Sequence, residues 1–444
     1  MFTKVLVANR GEIAIRVIRA LRELGIRSVA VYSTADKDAL HTRLADEKVC
    51  IGSAQSKNSY LNAPAIISAA QIKGVDAIHP GYGFLSEDAG FAEVCEAAGI
   101  KFIGPKPQDI ELMGNKLKAR EHVDKLGVQV MPGTFQEIED EQHAIRIAKD
   151  IGLPLMVKAA EGGGGRGMKI IYDEDQIPTI IKIARAEAKT AFGNASLYME
   201  KYFENVRHVE IQILGDGNGS VLSLGERECS IQRRHQKFIE ESPSVAVDDR
   251  LRNKMSEAAL KITRHINYRG VGTIEFLLDE KGKFYFMEMN TRLQVEHPVT
   301  EFVTGLDVVA EQISIASGQK MSVTQKDIKL KGHAIECRIN AEDPETLVPS
   351  AGTIRTYIQP GGPWVRVDGH VYCGYEVPPY YDSLLAKLVV WAEDRDSAIR
   401  RMQRSLDEFI IEGIKTNIPL HRKILASKEF LLGNISTRFI DKFI

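Results

Sequence analysis

The residues that point first to chemistry are two glutamates, 275 and 288, and the polar run that follows them. The segment Lys283-Phe-Tyr-Phe-Met-Glu288-Met-Asn290-Thr-Arg292-Leu-Gln294-Val-Glu296 alternates along much of its length. Successive side chains of an extended chain point to opposite faces, so Glu288, Asn290, Arg292, Gln294 and Glu296 would share one side. Gly272-Thr-Ile-Glu275-Phe-Leu-Leu278 reads as the preceding strand and Asp279-Glu-Lys-Gly282 as the turn. A hairpin closed there sets Glu275 opposite, or nearly opposite, Glu288. Facing carboxylates repel unless a cation lies between them. With Asn290 beside them they form an all-oxygen donor set of the kind magnesium prefers, bridged to phosphates. The bland alternative is an amphipathic edge strand with a solvated face, and the pairing with Glu275 weighs against it.

Three further groups could act with that set. Gly162-Gly-Gly-Gly-Arg166-Gly167 formally contains the dinucleotide pattern G-x-G-x-x-G, which requires a helix straight afterwards. Met168-Lys-Ile-Ile-Tyr172 reads as a strand instead, and no G-K-[ST] follows. A strand, glycine loop and strand make a flap whose backbone N–H groups can close over phosphates, with Lys158 adding charge; a mobile surface turn is the alternative. Gln232-Arg-Arg-His235-Gln-Lys237 is weak alone, but beside a nucleotide and a metal it would hold phosphate or carboxylate oxygens. In His333-Ala-Ile-Glu336-Cys-Arg338-Ile-Asn340, alternation turns Glu336, Arg338 and Asn340 away from the apolar side, toward either a site or solvent.

The elements that must carry these residues are of two kinds. Val5-Leu-Val-Ala8 reads as a strand, residues 13–24 as a helix, Gly25 as its C-terminal cap and 28–32 as the next strand. A second round follows: helix 63–73, strand 77–78, helix 89–98, strand 101–103. This alternation predicts an open, doubly wound parallel sheet to about Gly114. Residues 131–203 read as a small separate domain, with strands at 155–158, 168–172 and 196–201 and a helix at 176–189. The remainder is rich in strands and closes with helices near 395–411 and 419–426.

A chain of 444 residues suits about two or three domains. A net charge of -2 gives no general attraction to nucleic acid or membrane. No segment approaches the roughly 20 apolar residues of a membrane span, and charges at Arg10 and Glu12 follow the first apolar run too soon for a signal peptide. The five cysteines are scattered without a Cys-x-x-Cys, which suggests reduced thiols in a cytoplasmic protein. His333/Cys337 and His370/Cys373 have zinc-like spacings, but an ordinary strand core pattern accounts for the first pair.

Taken together, the motifs resemble the ATP-grasp superfamily, and specifically the biotin carboxylase family. The resemblance runs over essentially the whole chain. It rests on Ala8-Asn-Arg-Gly-Glu-Ile-Ala14, His79-Pro-Gly-Tyr-Gly-Phe-Leu-Ser-Glu87, the glycine loop, Gln232 to Lys237, Glu288-Met-Asn-Thr-Arg-Leu-Gln-Val-Glu-His-Pro298 and Glu336-Cys-Arg338. Leu293 stands where many relatives would carry Ile. The resemblance implies a mixed α/β and α+β architecture: an N-terminal domain at 1–114, an ATP-grasp domain at 115–330 with a lid at about 131–203, and a C-terminal domain at 331–444.

The resemblance also implies roles. Lys116 and Lys158 would hold ATP phosphates, and Gly163, Gly164 and Gly165 would belong to the lid. Glu200, Lys201, Phe203, His208, Gln232, His235 and Leu277 would surround adenine and ribose. Glu275, Glu288 and Asn290 would bind Mg2+ or Mn2+, the two glutamates also serving ATP. Lys237, Arg292, Gln294, Val295 and Glu296 would hold bicarbonate, with Glu296 as base and Arg338 at biotin. Catalysis would fall to Glu296, Arg338, Arg292 and Lys237. Bicarbonate, once deprotonated, would attack the γ-phosphate to give carboxyphosphate, which releases carbon dioxide beside biotin.

The expected partners are a biotin carboxyl carrier protein, carboxyltransferase subunits and a second copy of the chain. The expected setting is the first half-reaction of acetyl-CoA carboxylase in fatty acid biosynthesis, with a split pyruvate or acyl-CoA carboxylase as the alternative. Two rivals remain: another ATP-grasp ligase, against which Arg292, Glu296 and Arg338 argue, and a non-enzymatic nucleotide sensor, which would tolerate loss of Glu275, Glu288 or Lys237.

Overall fold

A computed structural model describes residues 1–160, 168–233 and 236–443, without the side chain of Phe192. Val5, Leu6 and Val7 are all fully buried, as a strand covered on both faces must be. They lie in β1 (Lys4–Val7), at the centre of a parallel sheet with β2 (Arg27–Ser33), β3 (Glu47–Gly52), β4 (Ala77–His79) and β5 (Lys101–Phe102), ordered β3-β2-β1-β4-β5. Val5 and Val7 pack on Ile13, Val17 and Leu21 of helix Gly11–Glu23, which ends before Gly25 at φ +73°. Leu6 packs on the other side, with Ile66 of helix Ala63–Lys73 and Phe91 of helix Ala89–Ala97. The doubly wound sheet is therefore as predicted. The one strand not foreseen is β3, an edge strand whose residues are mostly half-buried or exposed and whose apolar pattern is correspondingly short.

The small region after residue 131 forms a three-stranded antiparallel sheet in the order β7-β6-β8, from β6 (Leu155–Ala159), β7 (Lys169–Ile171) and β8 (Leu197–Lys201). Helices Glu141–Ile151 and Ile177–Phe192 close its core. The glycine loop between β6 and β7 lies outside the described residues, as does His235.

The largest sheet is antiparallel. It is built from β9 (Arg207–Asp216), β10 (Val221–Arg233), β11 (Gln236–Ser242), β12 (Arg269–Leu278), β13 (Phe284–Asn290), β14 (His333–Asn340), β17 (Val365–Gly369) and β19 (Leu384–Ala392). Among the described residues its order is β13-β12-β9-β10-β11-β14-β19-β17. It runs without a break across residue 330, since β11 pairs with β14 through Ile239 opposite Cys337 and Glu240 opposite Glu336. Two ribbons, β15 (Gly352–Thr353) with β18 (Glu376–Val377) and β16 (Thr356–Ile358) with β20 (Ile410–Glu412), flank it. Helices Arg395–Glu408 and Ile418–Leu425 bury Ile399, Met402 and Ile424 against its apolar face. The first stops short of 411, because residues 410–412 are taken by β20.

The expected extended run to Glu296 needs correction. The strand ends at Asn290, and residues 291–296 form a loop leading into helix His297–Thr304. Pro298 starts that helix at a position where its missing N–H costs nothing, and Leu293 turns fully inward to the core. The first zinc-like pair, His333 and Cys337, is in the core, as expected; of the second, His370 is buried and Cys373 is exposed. Cys337 is buried, His333 Nε2 lies 2.7 Å from Glu241 Oε2, and His370 Nδ1 meets the Leu385 carbonyl at 3.0 Å. Among the described residues neither pair belongs to a metal-sized cluster of His, Cys, Asp and Glu. All five cysteines are free.

Candidate active site

The hairpin of β12 and β13 places Glu275 directly opposite Glu288, as the spacing predicts. Each carboxylate has its own cation. Lys116, at the start of helix Lys116–Lys125, donates to Glu288 Oε2. Lys237 on β11 donates to Glu275 Oε1 at 3.0 Å, and His208 Nε2 on β9 lies 3.1 Å from Glu275 Oε2. Asn290 Nδ2 donates to Glu275 Oε1 at 2.8 Å. Burial pushes the Glu275 carboxyl up, but Lys237 and His208 overcome it and hold the group well below the usual range. The same partners act on His208 in reverse: burial lowers it, and Glu275 raises it above its ordinary value.

These contacts test whether the trio fits a divalent cation. Its donors are all oxygen, and opposed carboxylates that already recruit two lysines are a place where positive charge is required. A second grouping, His208, Glu210 and Glu275, includes an imidazole nitrogen, which suits magnesium less well.

The centre of the site is the ammonium of Lys237. It donates to Glu210 Oε2 at 2.5 Å and to Glu296 Oε1 at 2.5 Å, besides Glu275. Burial works against its charge, but the three carboxylates raise it well above the usual lysine value. Glu210 is held from behind by Arg227 Nε at 2.5 Å, and that guanidinium also reaches Gln212, Thr273 and Thr300. Glu296 is fully buried, and its second oxygen accepts from Arg338 Nη2 at 2.8 Å. Burial would raise it, yet Lys237, Arg338 and Arg227 keep it ionised far below the ordinary range. Arg338 Nε donates to Glu240 Oε1 at 2.6 Å. Arg338 therefore faces the site rather than solvent, which answers the question its strand pattern left open.

The loop of 291–296 bends its polar groups in from several directions. Arg292 donates to Glu87 at 2.7 Å, Gln294 Oε1 at 2.9 Å and Asn290 Oδ1 at 3.0 Å. The Val295 carbonyl accepts from the buried Lys387 at 2.8 Å. The residues expected to surround the nucleotide form contacts of their own. Lys158 pairs with Glu200, which also accepts from Arg120 at 3.1 Å. Lys201 donates to the Gly152 and Leu153 carbonyls at 3.0 and 2.7 Å. His208 lies opposite Leu277, Leu277 opposite Tyr285, and Phe203 packs on the Tyr285 ring at 5.4 Å. Gln232 is registered with Lys237 across β10 and β11.

Sequence reasoning passed over Glu210, Arg227, Glu240 and Arg120. A signal existed for the first: His208-Val-Glu210-Ile-Gln212 alternates as clearly as the β13 segment. Both of its faces prove to be buried, so the polar side is an interior site. Glu87 lies in a motif quoted for the resemblance, but nothing marked it as the partner of Arg292.

Comparison with known proteins gives a consistent result. The family model described as biotin carboxylase, N-terminal domain, matches residues 1–110. The carbamoyl-phosphate synthase L chain ATP-binding domain matches 115–324, and the biotin carboxylase C-terminal domain matches 336–442. The chain is 56% identical to a biotin carboxylase of Nostoc sp. over 442 residues, 99% of each chain. The crystal structure of the biotin carboxylase-beta-gamma-ATP complex from Campylobacter jejuni superposes with a TM-score of 0.98 at 49% identity, over 100% of this chain and 99% of that one. The biotin carboxylase domain dimer of Hydrogenobacter thermophilus 2-oxoglutarate carboxylase, in complex with MgADP, ADP and bicarbonate, gives 0.97 at 49% identity, over 100% and 98%. With three domain models matched in sequence order on this fold, the chain belongs to the biotin carboxylase family of ATP-dependent ligases.

Proposed function

We propose that the chain carboxylates biotin on a separate carrier protein, using ATP and bicarbonate and giving ADP, phosphate and carboxybiotin. The observation that carries this reading is Glu296, a buried carboxylate clamped between Lys237 and Arg338 on the face that bears Glu275 and Glu288. In this reading Glu296 accepts the bicarbonate proton. A carboxylate held low is ionised but a weak base. As Lys237 turns toward phosphate oxygens, its hold on Glu296 relaxes and the basicity of Glu296 rises. Lys237 and Arg292 position the resulting anion against the γ-phosphate, and Lys116 and Lys158 steady the phosphates. Glu275, Glu288 and Asn290 hold the divalent cation, Mg2+ or Mn2+, which when bound supplies charge neutralisation along the phosphates. Gln294 and the Val295 backbone hold bicarbonate; the phosphate released as carboxyphosphate gives up carbon dioxide takes the biotin proton, and Arg338 stabilises the enolate-like biotin anion that captures the carbon dioxide.

The adenine and ribose side is assigned to Glu200, Lys201, Phe203, His208, Gln232, His235 and Leu277. The geometry suggests a refinement for Glu200, whose oxygens hold Lys158 and Arg120. The division 1–114, 115–330 with a lid at 131–203, and 331–444 is proposed with it, Gly163 to Gly165 closing the lid. We place the chain in the cytoplasm, as a homodimer working with a biotin carboxyl carrier protein and carboxyltransferase subunits. No helix of the described residues is long and apolar enough to cross a membrane. Acetyl-CoA carboxylase is the favoured setting; the 2-oxoglutarate carboxylase among the similar structures keeps other acceptors in view. The test is ADP formation by the purified chain. The reading requires dependence on bicarbonate and stimulation by free biotin, and bicarbonate-independent turnover would overturn it.

A further inference from the structure

Beneath Arg338 lies a second acidic pair that the reaction scheme above leaves idle. Glu240 on β11 and Glu336 on β14 are direct cross-strand partners, and both are fully buried. Opposed side chains of an antiparallel pair have Cβ atoms about 4.5–5.5 Å apart. One oxygen of Glu240 is used by Arg338, at 2.6 Å. Among the described residues, its other oxygen and both oxygens of Glu336 are buried without a hydrogen-bond partner. Three buried carboxyl oxygens without a protein partner mean that both groups cannot be charged, because an unpaired buried anion is among the costliest features a core can hold.

The surroundings decide which member keeps the charge. Arg338 is bound to Glu240. Lys387, on the far side at β19, is committed to the Val295 carbonyl at 2.8 Å and to Glu12 at 3.3 Å. Lys237 serves Glu210, Glu275 and Glu296. Among the described residues the remaining titratable neighbours bring no positive charge. Glu296 is an anion, burial keeps the Cys229 and Cys337 thiols protonated, and burial together with Lys387 keeps His297, on the helix across this face, neutral.

We propose that Glu240 and Glu336 hold a single proton between them: Glu240 is the charged positioning residue that fixes the Arg338 guanidinium, and Glu336 is the neutral acid beside it. This deepens the proposed function, on which its kinetic consequences rest. A second anion in this pair would oppose the negative charge that develops on biotin in front of Arg338. A neutral Glu240 would loosen its hold on the guanidinium and leave Glu296 as its one charged partner in this pair of contacts. Burial, resisted by Arg338 and reinforced by Glu296, raises Glu240, while burial and the Glu240 charge, against Lys387, push Glu336 much further, far above the carboxylate range.

The test has a spectroscopic arm and a kinetic arm. Infrared spectra at neutral pH should show a carbonyl-stretch band of a protonated carboxyl in the wild type that Glu336→Gln removes and that Glu240→Gln leaves in place. Identical wild-type and Glu336→Gln spectra would overturn the proposal. This arm needs no turnover, so it stands even if bicarbonate-dependent ATP cleavage is absent and the functional reading fails. In the kinetic arm Glu336→Gln, whose amide mimics the acid, should keep carboxylation within about threefold. Glu240→Gln should raise the KM for free biotin about tenfold or more, the scale of a lost charge-assisted contact, with bicarbonate-dependent ADP formation much less affected. Glu240→Asp should recover part of that loss. Equal losses in the two glutamine variants, or a Glu240→Gln enzyme with wild-type KM, would refute the assignment. Should Glu240→Gln not fold, the Glu336→Gln spectrum still decides.

Discussion

Replacing Glu296 by glutamine removes one negative charge and almost no volume. In the folded protein Glu296 accepts from Lys237 at 2.5 Å and Arg338 at 2.8 Å. Breaking a buried ion pair from one side typically costs ~3–5 kcal/mol, because a charge is left uncompensated. Neither cation is stranded here. Lys237 keeps Glu210 and Glu275, and Arg338 keeps Glu240. The loss should therefore approach that of one charge-assisted hydrogen bond, roughly 1.5–3 kcal/mol, and leave the fold intact. The effect on chemistry should be larger, roughly 10²–10⁴-fold in bicarbonate-dependent ADP formation and equally in carboxybiotin, the usual span for loss of a general base. ATP should still bind, since Glu296 makes no contact assigned to the nucleotide. Arg338→Ala should separate the two products, with carboxybiotin falling further than ADP. The assay measures ADP and carboxybiotin side by side in both variants. Normal carboxylation by Glu296→Gln, or proportional loss of both products in both variants, would refute the division of labour.

Other expectations follow from the same contacts. Glu275→Gln should raise the magnesium concentration needed for ADP formation, and chelation should abolish turnover in the wild type; an unchanged magnesium dependence would remove Glu275 from the metal site. Burial holds His41 and His421 down to about 4 and His79 and His370 down to about 3, so the fold keeps them neutral while the unfolded chain binds protons near pH 6.5. Stability from these groups is complete above about pH 6.5 and is lost on acidification toward 3–4, by up to ~1.4 kcal/mol per pH unit for each histidine. Thermal unfolding midpoints should fall accordingly, and a flat profile below pH 6 would contradict it. Lys169, in the chain's nearest approach to a biotin-acceptor string, lies on β7 and pairs with Glu187, so avidin should not detect the purified protein. Amide exchange in 131–203 should slow when ATP and magnesium bind, and equal exchange would argue against a lid.

The parallel sheet was legible in the sequence because each of its helices and most of its strands carry an uninterrupted apolar pattern. The edge strand β3 was not, since one face of Glu47–Gly52 is largely open and carries little signal. The Glu275–Glu288 pairing could be read because a short turn fixes register within a hairpin. The path after Asn290 could not. Alternation continues in the letters, but Pro298 and the inward turn of Leu293 are tertiary facts. The carboxylates behind the site, Glu210 and Glu240, escaped notice for a related reason. Their strands are buried on both faces, so polar residues facing an interior site look the same in sequence as polar residues facing water.

The unbroken sheet across residue 330 bears on how such a protein could be divided. Residues 318–331 are largely exposed, whereas β11 and β14 are joined along a ladder that also seats Lys237, Glu240 and Arg338. A nick in that connector would part the polypeptide while the ladder holds the two fragments in register. A terminus placed in the connector with everything from β14 onward discarded would instead bare the β11 edge, a flat row of backbone donors and acceptors and an invitation to self-association. For this architecture, gene fission at the connector is tolerable and deletion of the tail is not, because the seam that holds the reacting groups belongs to both pieces.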